Sequence, residues 1–230
     1  MSIVYDFDRI IKRGNKLVKY IELKNELDLI DYESLKTKDV ENVAKRLIKN
    51  KEDVSDLSTH CLKDQRVHRI YFEVSLYFLL AEDEQFNFIE NNFNLLNDWW
   101  HVDQLTIFTK PFSFDFAFKK AKSYINNSNP FVRRLAYVIF LPDLIKDTSK
   151  YDEIATLFKN DDEYYVQMGL AWLISYMAIY DSTWTYNYLN TTKLKYNITS
   201  KAIQKTCDSF RVSQETKTKF KSLREKLKTI

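Results

Sequence analysis

The stretch Tyr164-Tyr165-Val166-Gln167-Met168-Gly169-Leu170-Ala171-Trp172-Leu173-Ile174-Ser175-Tyr176-Met177-Ala178-Ile179-Tyr180 decides the fold. It is apolar on more than one side when wound at helical pitch, the pattern of a helix covered on two sides by neighbours. Residues 67–81 read the same way. Upstream, Phe86, Ile89, Phe93 and Leu96 recur at spacings of three, four and three, which lines one helix face. Start signals separate these segments: Ser128-Asn129 before Pro130, Asp181-Ser182-Thr183 before Trp184, and Thr199-Ser200. The breaks give roughly a dozen helices of about 10 to 18 residues, the pitch of paired-helix repeats. The reading is all-α, with HEAT-like helical repeats in a curved α-α superhelix, or solenoid. No linker rich in Pro, Gly or Ser divides the chain, so a single domain over residues 1–230 is expected.

Composition removes other classes. The 230 residues are 45% hydrophobic, 29% charged and 15% aromatic, which is globular. Gly14 and Gly169 are the only glycines, and Pro111, Pro130 and Pro142 the only prolines. Phosphate-cradling loops and tight hairpins need several glycines, so a P-loop, a Rossmann fingerprint and most all-β folds are excluded. Cys61 and Cys207 lack metal-ligand spacing and point to a reducing, cytoplasmic setting. Acids among the first eight residues, Met1-Ser2-Ile3-Val4-Tyr5-Asp6-Phe7-Asp8, argue against a signal peptide, and no apolar run reaches membrane-spanning length.

The net charge of +3 is unevenly placed. Residues 201–230 hold nine basic and three acidic side chains, a local +6 that leaves the remainder near −3. A second cluster comprises Lys110, Lys119, Lys120, Lys122, Arg133 and Arg134. Together the two could form one basic surface; a solvated lysine-rich face is the alternative.

Three segments could carry chemistry. In Asn97-Asp98-Trp99-Trp100-His101-Val102-Asp103, Trp99 and Asp103 stand four apart and could present an indole and a carboxylate to one ligand. Alternatively Asp98 caps the helix and both tryptophans enter the core. In Asn129-Pro130-Phe131-Val132-Arg133-Arg134, an arginine one turn into an apolar helix must be paired or reach solvent, and facing a groove it can clamp a phosphate. In the third, Gly169 allows close helix approach and Trp172 defaults to the core.

In order and spacing these segments resemble the DNA alkylation repair (AlkD-like) glycosylase family over roughly residues 65–210. Its pattern is a W-x-x-x-D pair on one helix, an arginine on the next repeat and a tryptophan beyond, matched by Trp99, Asp103, Arg134 and Trp172. Residues 97–103 look like the family's N-x-W-D-x-V-D, and Val166-Gln167-Met168-Gly169-Leu170-Ala171-Trp172 like its I-Q-K-A-I-G-W. The resemblance implies a concave basic face on double-stranded DNA, damaged or branched, and N-glycosidic hydrolysis of cationic N3- or N7-alkylpurines. Asp103 would stabilise the sugar cation and position water, Trp99 and Trp172 would pack on deoxyribose and lesion, and Arg134 would hold a phosphate. Arg133, Lys201 and Lys205 complete the candidate DNA contacts. No metal, organic cofactor or membrane is implied.

The chain departs from the family in three places. Met168 replaces the motif lysine, and Ser175 replaces an arginine that often follows the tryptophan by three. Residues 1–64 hold no F-x-G-[IV]-x-x-P-x-R-like recognition segment, as in short divergent branches of the family. A glycosylase, a non-catalytic family member on branched or other DNA, and a protein-binding scaffold with aromatic anchors all stay open.

Overall fold

The computed structural model describes residues 16–29, 37–141 and 143–229. The amino-terminal acids, Gly14 and Pro142 lie outside them. The described residues form thirteen α-helices joined by turns and short 3-10 segments, with no strand, so the fold is all-α as the periodicity predicts. Chain contacts divide it into two compact units, Met1–Pro111 and Phe112–Ile230.

In the first unit, α1 (Tyr20–Leu29), α2 (Thr37–Lys49), α3 (Gln65–Phe78) and α4 (Glu82–Asn91) precede two short helices, α5 (Trp99–Asp103) and α6 (Leu105–Phe108). Helix α3 packs on α2 and α6 and buries Val67, Ile70, Phe72, Val74 and Leu76. Asp64 caps its start by accepting from the Arg66 N–H at 2.9 Å. At its other end the Lys110 ammonium donates to the carbonyls of Leu76, Tyr77 and Leu79 at 3.2, 2.5 and 2.7 Å. These carbonyls lie at the C-terminal end of the helix, that of Leu76 also accepting the Leu79 N–H at 3.2 Å, where the helix dipole favours a cation. Lys110 is thereby committed to its own unit rather than to a basic surface.

The expected helix face through Phe86, Ile89, Phe93 and Leu96 is interrupted. Helix α4 stops at Asn91, and residues 93–95 are 3-10. The Asn92 side chain donates to the Phe88 carbonyl at 2.8 Å and accepts from the Tyr71 hydroxyl at 3.3 Å. An asparagine that bonds backbone in this way competes with helix continuation.

The second unit holds α7 (Phe114–Tyr124), α8 (Pro130–Val138), α9 (Tyr151–Ala155), α10 (Tyr164–Tyr180), α11 (Ser182–Thr191), α12 (Tyr196–Asp208) and α13 (Gln214–Leu227). Helix α10 is its axis: α8, α11 and α12 pack against it, burying Leu170, Leu173, Ile174 and Met177 completely or nearly so. Each such side chain contributes roughly 1.5–3 kcal/mol by leaving water. Two expected caps are met, with Asn129 accepting from Phe131 N–H and Asp181 from Trp184 N–H, both at 2.8 Å. The third is not. Helix α12 begins at Tyr196, and Thr199 lies inside it, 2% exposed, with its hydroxyl donating to the Tyr196 carbonyl at 3.2 Å.

Candidate functional site

The first unit presents Trp99 and Asp103 on α5. The helix starts there because the Asp98 carboxylate accepts from the Trp99 N–H at 2.6 Å. Trp99 is 44% exposed, so the expectation of two core tryptophans fails for it. Trp100 faces inward, its ring edge-on to His101 at 4.0 Å and to His68 at 5.3 Å. Asp103 is half-buried one turn beyond Trp99.

Beneath α5 lies a polar anchor that the sequence reading missed. His68 is fully buried and stacks on His101, centroids 3.6 Å apart and planes 8° apart. Its Nε2 lies 3.1 Å from the Leu95 carbonyl and its Nδ1 2.9 Å from Gln104 Nε2. A carbonyl only accepts, so Nε2 carries the proton and Nδ1 accepts from the Gln104 amide. That assignment leaves Gln104 Oε1 buried without a partner among the described residues. Burial, with the charge of His101 added, pushes His68 down to about 3. Burial pushes His101 to about 4 against the opposing charge of Asp98. Both rings are therefore neutral near pH 7, and they fix α5 without supplying an acid or base. The only signal available from sequence was a buried position, His68, within an apolar run.

The second unit places Arg134 and Trp172 through one close approach. Arg134 is 4% exposed, and its Nη1 donates to the Tyr165 carbonyl at 2.7 Å. A Cβ at Gly169 would stand 3.1 Å from Arg134 Cγ and 3.4 Å from its Nη1, so glycine is what admits the arginine against α10. Arg133 is engaged otherwise. Its Nε and Nη2 hold Asp161 at 2.7 and 3.1 Å, and its Nη1 donates to the Asn127 and Ser128 carbonyls. Of the two arginine readings, the ordinary ion pair describes Arg133.

Trp172 is half-buried rather than in the core, and it begins an aromatic stripe that continues one and two turns on with Tyr176 and Tyr180. Tyr176 meets the indole edge-on at 6.0 Å and 85°. This stripe went unread in the sequence although its i, i+4, i+8 spacing is visible there. On α12, Lys201 is half-buried with its ammonium on Gln204 Oε1 at 2.9 Å, and Lys205 is half-buried.

Cys61 and Cys207 are free thiols, Cys61 being pushed up to about 12 by burial and so unreactive. No group of three or more His, Cys, Asp or Glu among the described residues is placed to hold a metal ion. No helix among them is long and apolar enough to cross a membrane.

No curated protein and no solved structure matches the chain. A family model, described as DNA alkylation repair enzyme, matches residues 19–206, a span that includes Trp99 and Asp103 on α5, Arg134 on α8 and Trp172 on α10. With most of its length inside that match, the chain belongs to the DNA alkylation repair enzyme family.

Proposed function

We propose that the protein binds duplex DNA and hydrolyses the N-glycosidic bond of purines alkylated at N3 or N7. The observation that carries this reading is the pairing on α5 of a 44% exposed indole with a carboxylate one turn away, on a helix anchored from below by neutral groups. In such a substrate the base already bears a positive charge. The C1′–N bond breaks with its electron pair going to the ring nitrogen, which leaves as a neutral base. Water then bonds to C1′, and its proton passes to Asp103 or to solvent. A fixed carboxylate about 4 Å from the developing sugar cation, at an effective dielectric of about 20, is worth about 4 kcal/mol. That corresponds to roughly 10³ in rate. The Trp99 face, electron-rich, favours the same cation. In the second unit Trp172 and Arg134 hold DNA, with Arg134 donating toward a phosphate and Lys201 and Lys205 contributing diffuse attraction.

A second reading has a specific observation behind it. Residues 1–64 hold no recognition segment, and Met168 and Ser175 stand where basic residues are expected, which favours a family member that holds DNA, intact or branched, without excising a base. Incubating the protein with methylated duplex DNA and following release of 3-methyladenine and 7-methylguanine separates the two. Release supports the glycosylase; salt-dependent binding without release supports the second reading. Arg134→Ala weakens binding and flattens its salt dependence in either case, and an unchanged slope removes the phosphate assignment.

A further inference from the structure

The turn between α12 and α13, residues 209–212, carries two side chains that the proposed chemistry leaves unused. Phe210 is 94% exposed. Beside it, the exposed Arg211 holds its guanidinium carbon 4.8 Å from the Tyr176 ring centroid and 5.9 Å from that of Tyr180. The turn is fastened on both sides. The Arg211 N–H donates to Ser209 Oγ at 3.2 Å, Val212 is buried, and Ser213 caps α13 by accepting from the Thr216 N–H at 3.2 Å.

Arg211 differs from other arginines of the chain in what holds it. Arg46, Arg66, Arg69, Arg133 and Arg224 each lie against a carboxylate. Arg211 is oriented by two aromatic faces, and no carboxylate among the described residues pairs with it. Aromatic faces hold a guanidinium in place without neutralising its charge or taking up its N–H donors, an arrangement suited to a planar or tetrahedral oxyanion. A phenylalanine next to such a cation, with almost nothing over it, suits a partner that alternates anionic and apolar surface every few ångströms. A nucleic-acid duplex does so through phosphate, sugar and base edge, and apolar side chains at its grooves commonly wedge against base steps. The local charge of residues 201–230, nine basic against three acidic, favours a polyanion over a neutral protein surface. The rings that hold Arg211 continue the stripe that begins at Trp172.

We propose that this turn is a DNA-contact element in which Arg211, braced on Tyr176 and Tyr180, takes a backbone phosphate while Phe210 packs on the sugar and base edge beside it. The proposal rests on the reading that the Trp172 stripe of α10 meets DNA. It adds a contact that the Trp99–Asp103 chemistry does not require.

The two contributions separate in a salt titration. Binding of the full chain to a labelled 20-base-pair duplex is measured by anisotropy from low to moderate salt. Arg211→Ala lowers the magnitude of the slope of log K against log salt by about 0.9, the signature of one phosphate. Arg211→Lys keeps the slope, because the charge remains. Phe210→Ala, which removes an apolar side chain from the contact, weakens binding about tenfold at every salt concentration and leaves the slope unchanged. Both side chains are exposed, so thermal midpoints stay at the wild-type value. An unchanged slope in Arg211→Ala, a slope lost in Arg211→Lys, or unchanged affinity in Phe210→Ala overturns this proposal while leaving base excision by Asp103 to stand. Wild-type protein that shows no salt-dependent binding overturns both.

Discussion

The imidazoles of His68 and His101 lie face to face, 3.6 Å between centroids, in the layer that supports α5. His101 belongs to α5 itself and His68 to α3, so the stack joins the helix bearing Trp99 and Asp103 to the core of its unit. The His101 Nδ1 also accepts from the Asn97 N–H at 3.3 Å, which fixes the chain entering the helix.

Protonation of this stack opposes folding. Burial lowers both histidines, to about 3 and about 4, from the 6.5 of an unfolded chain. The unfolded state therefore binds more protons below pH 6.5, and stability is full above that pH and falls as pH drops toward 4. At pH 5 the loss is roughly 2 kcal/mol per histidine. Thermal or urea unfolding at pH 7 and pH 5 reads this loss. His101→Asn, whose Oδ1 can accept from Asn97 in place of Nδ1, removes part of the pH dependence. Equal stability at both pH values in the wild type contradicts the buried neutral stack.

Adjacent tryptophans on α5 have opposite consequences when truncated. Trp99→Ala removes an exposed ring and changes stability by no more than about 0.5 kcal/mol, while base release falls. Trp100→Ala takes away the ring that edges onto both histidines and destabilises by about 2 kcal/mol or more. Denaturant unfolding of the two variants, run beside a base-release assay, distinguishes surface chemistry from support. Equal destabilisation by both contradicts the assignment.

Gly169→Ala sets helix propensity against Arg134. Alanine gains about 1 kcal/mol within a helix. The new methyl would stand 3.1 Å from Arg134 Cγ, on a side chain pinned at its far end to the Tyr165 carbonyl and unable to swing away freely. The expected outcome is a net loss of stability under about 2 kcal/mol and weaker DNA binding. A stabilised variant with wild-type affinity would show that Arg134 yields easily and does not depend on this glycine.

Lys51 ends α2 in the left-handed region, φ 53°, with Lys51 N–H on the Ile48 carbonyl and Glu52 N–H on the Leu47 carbonyl, both at 3.0 Å. Such a terminus favours glycine, since a Cβ there costs about 1 kcal/mol or more. Lys51→Gly raises stability by up to about 1 kcal/mol, read as a rise in the unfolding midpoint. A fall would mean that glycine's added freedom in the unfolded chain outweighs the relief.

The helical class was legible because α10 is both long and apolar on most of its surface, and no loop chemistry competes with that pattern. Asn129 and Asp181 announced their helices by type and position and cap as read, and Asp98 caps as in the alternative for residues 97–103 although Trp99 stays exposed. Thr199 misled because a hydroxyl residue inside a helix looks the same in sequence as one before it; its bond to the Tyr196 carbonyl is visible only once the helix is built. Residues 97–103 and 166–172 marked the segments, yet sequence could not say that Trp99 is exposed while Trp100 turns inward, since facing depends on what α3 places beneath. The pairing of Arg133 with Asp161 and the bracing of Arg211 by Tyr176 and Tyr180 join residues about thirty apart, beyond any local pattern.

The most direct test of the account is base release by wild-type protein and Asp103→Asn on the same methylated duplex, with binding measured alongside. Asparagine keeps the shape of the side chain and removes its charge. The wild type is expected to release 3-methyladenine and 7-methylguanine, and the variant to release them roughly 10³ more slowly with affinity for intact duplex within about twofold. Release unchanged in Asp103→Asn, or binding lost in proportion to release, contradicts this expectation.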